Sequence, residues 1–107
     1  VKTDTAFLKL HSTVRLAQVS ASDILIIPGS TISFLEVIQD RQVLNWITKI
    51  DATTKYTATV CTGSIILAAT GLLEGQVATS HWYPKRFLTE YGVKTSEARV
   101  VLSNKYI

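Results

Sequence analysis

The only cysteine of the chain stands where a predicted strand meets a predicted helix. Residues 56–60 are mostly β-branched or aromatic, and Cys61 follows them directly, ahead of Thr62, Gly63 and a mostly apolar stretch. A corner of this kind strains the backbone of a nucleophile, and Gly63 allows a tight turn. The unpaired N–H groups of the helix start favour the reactive thiolate. We predict that Cys61 is a nucleophile; the alternative is a small buried side chain, the commoner role of a lone cysteine.

A histidine follows Cys61 at the spacing expected for the next strand end. His81 lies 20 residues later, after one predicted helix and one short strand at 77–79. The chain should therefore return to a neighbouring position, where the imidazole would serve as general base or ion-pair partner of the thiol. An equally supported alternative is a histidine that caps the next helix or donates to a backbone carbonyl.

A third strand end offers backbone donors. Residues 24–27 form a continuous apolar run, typical of a strand covered on both faces, and Pro28 ends it. Because ligands bind at the carboxyl ends of parallel strands, the N–H groups of Gly29 and Ser30 would complete an oxyanion hole with that of Thr62. The alternative is an ordinary Pro-Gly turn. The Thr62 hydroxyl either binds substrate or caps the helix.

The sequence contains few other residues or motifs with a recognisable chemical role. A cysteine–histidine pair usually has an acidic third member, and none of Asp23, Glu36, Asp40 and Glu74 has a reason to point at Cys61. Phosphate-binding loops, metal motifs and the dinucleotide fingerprint are absent, so we expect no metal and no cofactor. We predict that the aromatic residues near the site, Trp46, Trp82 and Tyr83, pack rather than form a stacking platform.

The pattern of apolar residues predicts the elements that hold these groups. In the first half we expect a strand pair at 7–10 and 14–17, a short irregular helix at 31–39, and a helix capped by Asp40. In the second half we expect a helix at 85–91 that ends at Gly92, and two strands around a turn at 103–105. Helices that alternate with short buried strands predict an α/β fold with a mainly parallel sheet.

Composition narrows the class of protein. The 107 residues suit a single domain, with 47% hydrophobic residues, 18% charged residues and a net charge of +3. The basic residues are scattered, so nucleic-acid binding by this segment is not predicted. One cysteine fits a reducing compartment, and we expect a cytoplasmic location. No run is long enough for a membrane span. Val1 and Ile107 predict a chain cut at both ends.

Three segments together resemble the DJ-1/PfpI family of the class I glutamine amidotransferase-like superfamily. They are DILIIPGS at 23–30, VCTGSIILAATGLLEG at 60–75 and QVATSHW at 76–82, within a match from 14 to 107. Within the family, these motifs are most similar to isonitrile hydratases and to the sensor domains of AraC-type regulators. The resemblance implies a three-layer, flavodoxin-like sandwich, and residues 1–107 would be a partial domain of it.

The resemblance also implies roles for the residues named above. Cys61 would be the catalytic nucleophile, His81 the nearby histidine, and Thr62 a substrate contact. Gly29 and Ser30 would supply backbone near the oxyanion, although Ser30 departs from the usual second glycine. Family members carry an acidic residue in a preceding segment and continue into a Ser/Thr-Ala-Gly loop, and neither lies within these residues.

The function implied first is a cysteine-dependent enzyme that adds water to an isonitrile to give an N-substituted formamide, a lyase, or else a small-molecule hydrolase. The alternative is a ligand-sensing domain of an AraC-type transcription regulator. A protease, deglycase or stress-protein role ranks below both. The expected partners are a small-molecule substrate or ligand and a second copy of the chain in a homodimer, without a membrane.

Overall fold

Short helices and short parallel strands alternate along the chain. The computed structural model describes Thr3 and residues 7–107. A 3-10 helix at Leu16–Gln18 comes first, followed by β1 (Ile24–Ile27), α1 (Phe34–Val37), α2 (Arg41–Asp51), β2 (Tyr56–Thr59), α3 (Gly63–Ala69), β3 (Val77–Ala78), α4 (Arg86–Glu90) and β4 (Lys94–Thr95). Within the described residues, no helix has the length and apolar character needed to cross a membrane.

Both strand pairs are parallel, which confirms the predicted α/β class. β1 pairs with β2 so that Ile24 lies opposite Tyr56, and β3 pairs with β4. The segment 105–107 extends the first pair, because the Thr57 N–H donates to the Lys105 carbonyl at 3.1 Å and its carbonyl accepts from the Ile107 N–H at 3.1 Å. The carboxyl ends of β1 and β2 therefore lie side by side.

Helix α3 is the centre of the core. Ile65 and Leu67 are almost completely buried, and the helix packs against α1, α2, α4, β1 and β2. Helix α2 buries Leu44, Ile47 and Ile50 on one face, and the first two of these belong to the same core. Because α3 begins two residues after Cys61, the best-packed element of the chain fixes the backbone next to the thiol.

The start of α2 is capped as predicted. The Asp40 carboxylate accepts hydrogen bonds from the N–H groups of Gln42 at 3.1 Å and Val43 at 3.3 Å. These N–H groups would otherwise lack acceptors in the first turn of the helix. Gly92, likewise as predicted, has a left-handed conformation with φ 73° after α4.

The predicted strand pair at 7–10 and 14–17 is wrong. The region contains only an isolated bridge at Lys9 and the 3-10 helix. Local bonds close that helical turn: the Arg15 N–H donates to the Gln18 side-chain oxygen at 2.7 Å, and the Gln18 N–H donates to the Arg15 carbonyl at 3.0 Å. Among the described residues, neither alternating run belongs to a regular strand.

The structure also corrects the predictions for the strands around 103–105 and for the burial of residues 24–27. The two strands expected around 103–105 are reduced to isolated bridges, in which Tyr106 pairs with Thr57 and with Ser103. Strand β4 is polar and was not predicted. The prediction that residues 24–27 are covered on both faces is also wrong: Ile27 is buried, but Ile24 and Ile26 are 55% and 63% exposed. A continuous apolar run does not reveal which of its faces is covered.

Candidate active site at the strand ends

Cys61 has the strained backbone that the sequence predicts for the corner between β2 and α3, which we call the elbow. Its φ is 57°, in the left-handed region that a residue with a side chain rarely adopts. Hydrogen bonds hold the corner on both sides, from the Val60 N–H to the Ile27 carbonyl at 3.0 Å and from the Gly63 N–H to the Val60 carbonyl at 2.9 Å. The thiol is exposed. Cys61 is therefore not the buried hydrophobe of the alternative interpretation.

Two glycines make this corner possible. A Cβ atom on Gly63 would collide with the Ile27 carbonyl oxygen, so the helix start can approach β1 only without a side chain. A Cβ atom on Gly29 would lie 2.7 Å from the Cys61 Cβ and 2.9 Å from the Thr62 hydroxyl oxygen. The loop after β1 and the elbow after β2 are thus in direct contact.

The Thr62 side chain joins these two loops. Its hydroxyl donates to the Ser30 carbonyl at 2.8 Å and accepts from the Ser30 N–H at 2.8 Å. Thr62 is only 3% exposed and makes no side-chain cap to α3. The hydroxyl is therefore committed to Ser30, and neither the cap nor a direct substrate contact through the hydroxyl agrees with this geometry.

The same bond decides which backbone donors are available. The Ser30 N–H is already paired with Thr62, which corrects its expected place in an oxyanion hole. By contrast, the N–H groups of Gly29, Cys61 and Thr62 have no acceptor among Thr3 and residues 7–107. Three neighbouring N–H groups without acceptors can stabilise a negative charge on a bound molecule.

Cys61 and His81 line one cavity of about 760 Å³. The loop after β3 reaches the elbow through Ser80, whose hydroxyl donates to the Cys61 carbonyl at 2.9 Å. All three strand ends singled out in the sequence therefore meet. No hydrogen bond joins the Cys61 thiol to the His81 ring among the described residues, so their pairing stays a prediction.

Aromatic rings form an exposed group beside this histidine. The ring centroids of His81 and Trp82 are 5.7 Å apart, as are those of Trp82 and Tyr83. Trp82 is 76% exposed and Tyr83 is 61% exposed, so the prediction that they pack inside is wrong. For Trp46 it is confirmed, because this residue packs against the core and its ring N–H donates to the Leu16 carbonyl at 2.7 Å.

Gly29 and Ser30 open on a different cavity. They line a second, more apolar space of about 730 Å³, together with residues of β1 and α2. Neither residue lines the cavity of Cys61, although Gly29 lies directly against Cys61 and Thr62. The structure thus brings Cys61 and His81 to one space and the loop after β1 to another, with Thr62 between them.

Sequence analysis missed an ion pair in the Cys61 cavity. Lys85 and Glu97 both line it, and the Lys85 ammonium lies 3.3 Å from the Glu97 carboxylate and donates to the Ser96 carbonyl. No motif marks these residues; their positions follow from α4 and the loop after β4. The described residues contain no cluster of three or more histidine, cysteine or acidic side chains able to hold a metal ion.

The chain belongs to the DJ-1/PfpI family, whose model matches residues 3–107. This family agrees with the parallel α/β fold and with the strained cysteine at the elbow. The isonitrile hydratase of Pseudomonas putida is 33% identical over 99 residues, which cover 92% of this chain and 43% of the hydratase. The chain thus spans less than half the length of this relative.

Solved structures give the same family. A THiJ/PfpI family protein from Pseudomonas syringae is 35% identical with a TM-score of 0.91, over 97% of this chain and 43% of that one. A protein assigned as a transcriptional regulator from Vibrio parahaemolyticus has a TM-score of 0.77 at 20% identity, over 92% of this chain and 56% of that one. The latter similarity establishes a shared fold alone.

Proposed function

We propose that the protein is a cysteine-dependent enzyme that hydrates isonitriles, and that residues 1–107 are the part of its domain that carries the nucleophile. The observation that carries this proposal is the exposed Cys61, held at φ 57° beside a cavity that His81 also lines. The similarity to the isonitrile hydratase of Pseudomonas putida supports the choice of substrate class.

The chemistry proceeds in two stages. The Cys61 thiolate attacks the terminal carbon of the isonitrile, and that carbon takes up a proton to give a thioimidate. Water then adds to the same carbon, and one of its protons moves to nitrogen. As the C–S bond breaks, the other proton leaves the oxygen and replaces the one that the carbon took up. The products are an N-substituted formamide and the free thiolate, so one water is consumed and nothing is oxidised or reduced.

Two kinds of group near Cys61 assist these stages. His81 is the proton carrier, since it is the histidine that lines the cavity, and an imidazole can both take up and release a proton. The N–H groups of Cys61 and Thr62, which lack protein acceptors among the described residues, hold the oxygen that water adds to the carbon and that becomes the formamide carbonyl.

The catalytic test is formamide production by the full-length protein. Wild type should convert an isonitrile, and Cys61→Ala should reduce the rate to that of the buffer, as followed by mass spectrometry. His81→Ala should lower kcat by about 10²–10⁴-fold, the usual contribution of a positioned acid–base group. His11→Ala is the matched control, because His11 is exposed and does not line the cavity. Equal turnover by wild type and Cys61→Ala would remove Cys61 as nucleophile.

A second candidate is a ligand-sensing module of a transcription regulator, since the same fold occurs in the Vibrio parahaemolyticus protein. In that case the Cys61 cavity binds a small molecule without converting it. Calorimetry with an isonitrile and with its formamide separates the two functions. Saturable binding without formamide production would favour the sensor. We also propose that the functional form is a homodimer, which sedimentation of the full-length protein would test.

A further inference from the structure

A buried carboxylate lies close to one wall of the Cys61 cavity. Asp51, at the end of α2, is 4% exposed, and both of its carboxylate oxygens have partners. One oxygen accepts from the Thr57 hydroxyl at 2.7 Å and lies 3.3 Å from the Lys105 ammonium. The other accepts from the Tyr106 hydroxyl at 3.1 Å.

Neighbouring groups complete this network. The Lys105 ammonium also donates to the Asp51 backbone carbonyl and to the Thr54 hydroxyl, and the Thr54 and Thr57 hydroxyls are 2.8 Å apart. Thr57 is completely buried. A carboxylate this deeply buried is costly unless it is fully paired, so the geometry of its partners is tightly constrained.

The partners of Asp51 belong to the segment that closes the cavity. Tyr106 and Ile107 line the space of about 760 Å³ that Cys61 lines, and the Thr59 N–H donates to the Ile107 carbonyl at 2.7 Å. Backbone hydrogen bonds hold 105–107 along β2, and within the described residues the only pairing on the far side of this segment is the bridge from Ser103 to Tyr106. The side-chain contacts with Asp51 therefore contribute to holding this wall in place.

We propose that Asp51 is a positioning residue of the Cys61 cavity: by holding the Tyr106 hydroxyl and the Lys105 ammonium, it fixes the wall formed by Tyr106 and Ile107. Asp51 touches neither the thiol nor the cavity and acts only through these partners. This role goes beyond the proposed function, because it holds for any molecule that reaches Cys61.

The test compares how fast thiol reagents of two sizes alkylate Cys61 in the full-length protein, well below its unfolding temperature. Asp51→Asn keeps the shape but loses the charge and one acceptor. Tyr106→Phe removes only the hydroxyl. In both variants the rate with a bulky maleimide, divided by the rate with iodoacetamide, should rise by about tenfold, which corresponds to about 1.4 kcal/mol less for local opening of the wall.

Tyr91→Phe is the matched control, since Tyr91 is half-buried, lies at the end of α4 and does not line the cavity. Its rate ratio should equal that of wild type. A purely structural role would lower the unfolding temperature of Asp51→Asn and Tyr106→Phe without changing their rate ratio, and that result would overturn the proposal. If Asp51→Asn does not fold, an unchanged ratio in Tyr106→Phe alone overturns it. Neither measurement requires isonitrile turnover.

Discussion

The Thr62 hydroxyl bridges the N–H and the carbonyl of Ser30, with both distances at 2.8 Å. Thr62→Val keeps the side-chain shape but leaves both backbone groups of Ser30 without this partner. The free energy of unfolding should fall by about 1–3 kcal/mol, the cost of a buried polar group left unpaired. Urea denaturation measures the change. Thr62→Ser restores the hydroxyl and should recover most of the loss; an unchanged free energy of unfolding in Thr62→Val would contradict this role of the hydroxyl.

The contact between Gly29 and Cys61 predicts a specific loss of reactivity. In Gly29→Ala the new Cβ would lie 2.7 Å from the Cys61 Cβ, so the elbow must shift. We expect slower alkylation of the thiol as well as lower stability. Gly71→Ala is the control: Gly71 has φ 87° with nothing near its Cβ position, so it should lose about 1 kcal/mol of stability without changing the alkylation rate.

The Tyr106 hydroxyl predicts a loss of stability at alkaline pH. Burial, and then the charge and hydrogen bond of Asp51, raise the pKa of Tyr106 from 10.0 to about 12. The folded chain therefore keeps this proton at pH values where the unfolded chain has released it. The stabilisation is complete below pH 10 and is lost as the pH rises from 10 to about 12.

Absorbance of the tyrosinate form, compared between wild type and Tyr106→Phe, gives this titration directly. Asp51→Asn removes the negative charge, so the pKa of Tyr106 should move back toward 10.0. A Tyr106 titration near 10.0 in the wild-type protein would show that the phenol is not held by Asp51 in solution.

The Asp40 cap should contribute to stability but not to the site. Asp40→Ala removes the acceptor of the Gln42 and Val43 N–H groups, and the free energy of unfolding should fall by about 0.5–2 kcal/mol. Asp40→Asn keeps a capping oxygen and should be close to wild type. Cys61 alkylation should be the same in all three proteins, and a slower rate would show that α2 also orders the elbow.

Local signals in the sequence predicted those parts of the structure that local bonds create. The Asp40 cap and the left-handed Gly92 depend on residues within a few positions of each other. The Cys61 elbow was predicted for the same reason, because an apolar helix directly follows a β-branched strand. The gathering of three strand ends was predicted from a single parallel sheet, but β3 pairs with β4 in a separate two-stranded sheet, and its end reaches Cys61 through the Ser80 hydroxyl.

The missed features depend on partners distant in the chain. Asp51 and Tyr106 are 55 positions apart, and no pattern in the sequence links an acid at a helix end to a tyrosine near residue 107. Strand β4 is polar and exists because it pairs with β3. The hydrogen bond between the Thr62 hydroxyl and Ser30 could not be predicted from the sequence for the same reason, since it spans 32 positions.

The positive φ of Cys61 lowers the stability of the fold at the position that carries the thiol. Most side chains that replace the cysteine keep the backbone strain and lose the thiol. Glycine removes that strain in the folded chain, although it also adds flexibility to the unfolded chain. A directed-evolution screen for heat resistance alone would therefore not protect the thiol at this position, whereas a screen for thiol reactivity would retain the cysteine together with its backbone strain.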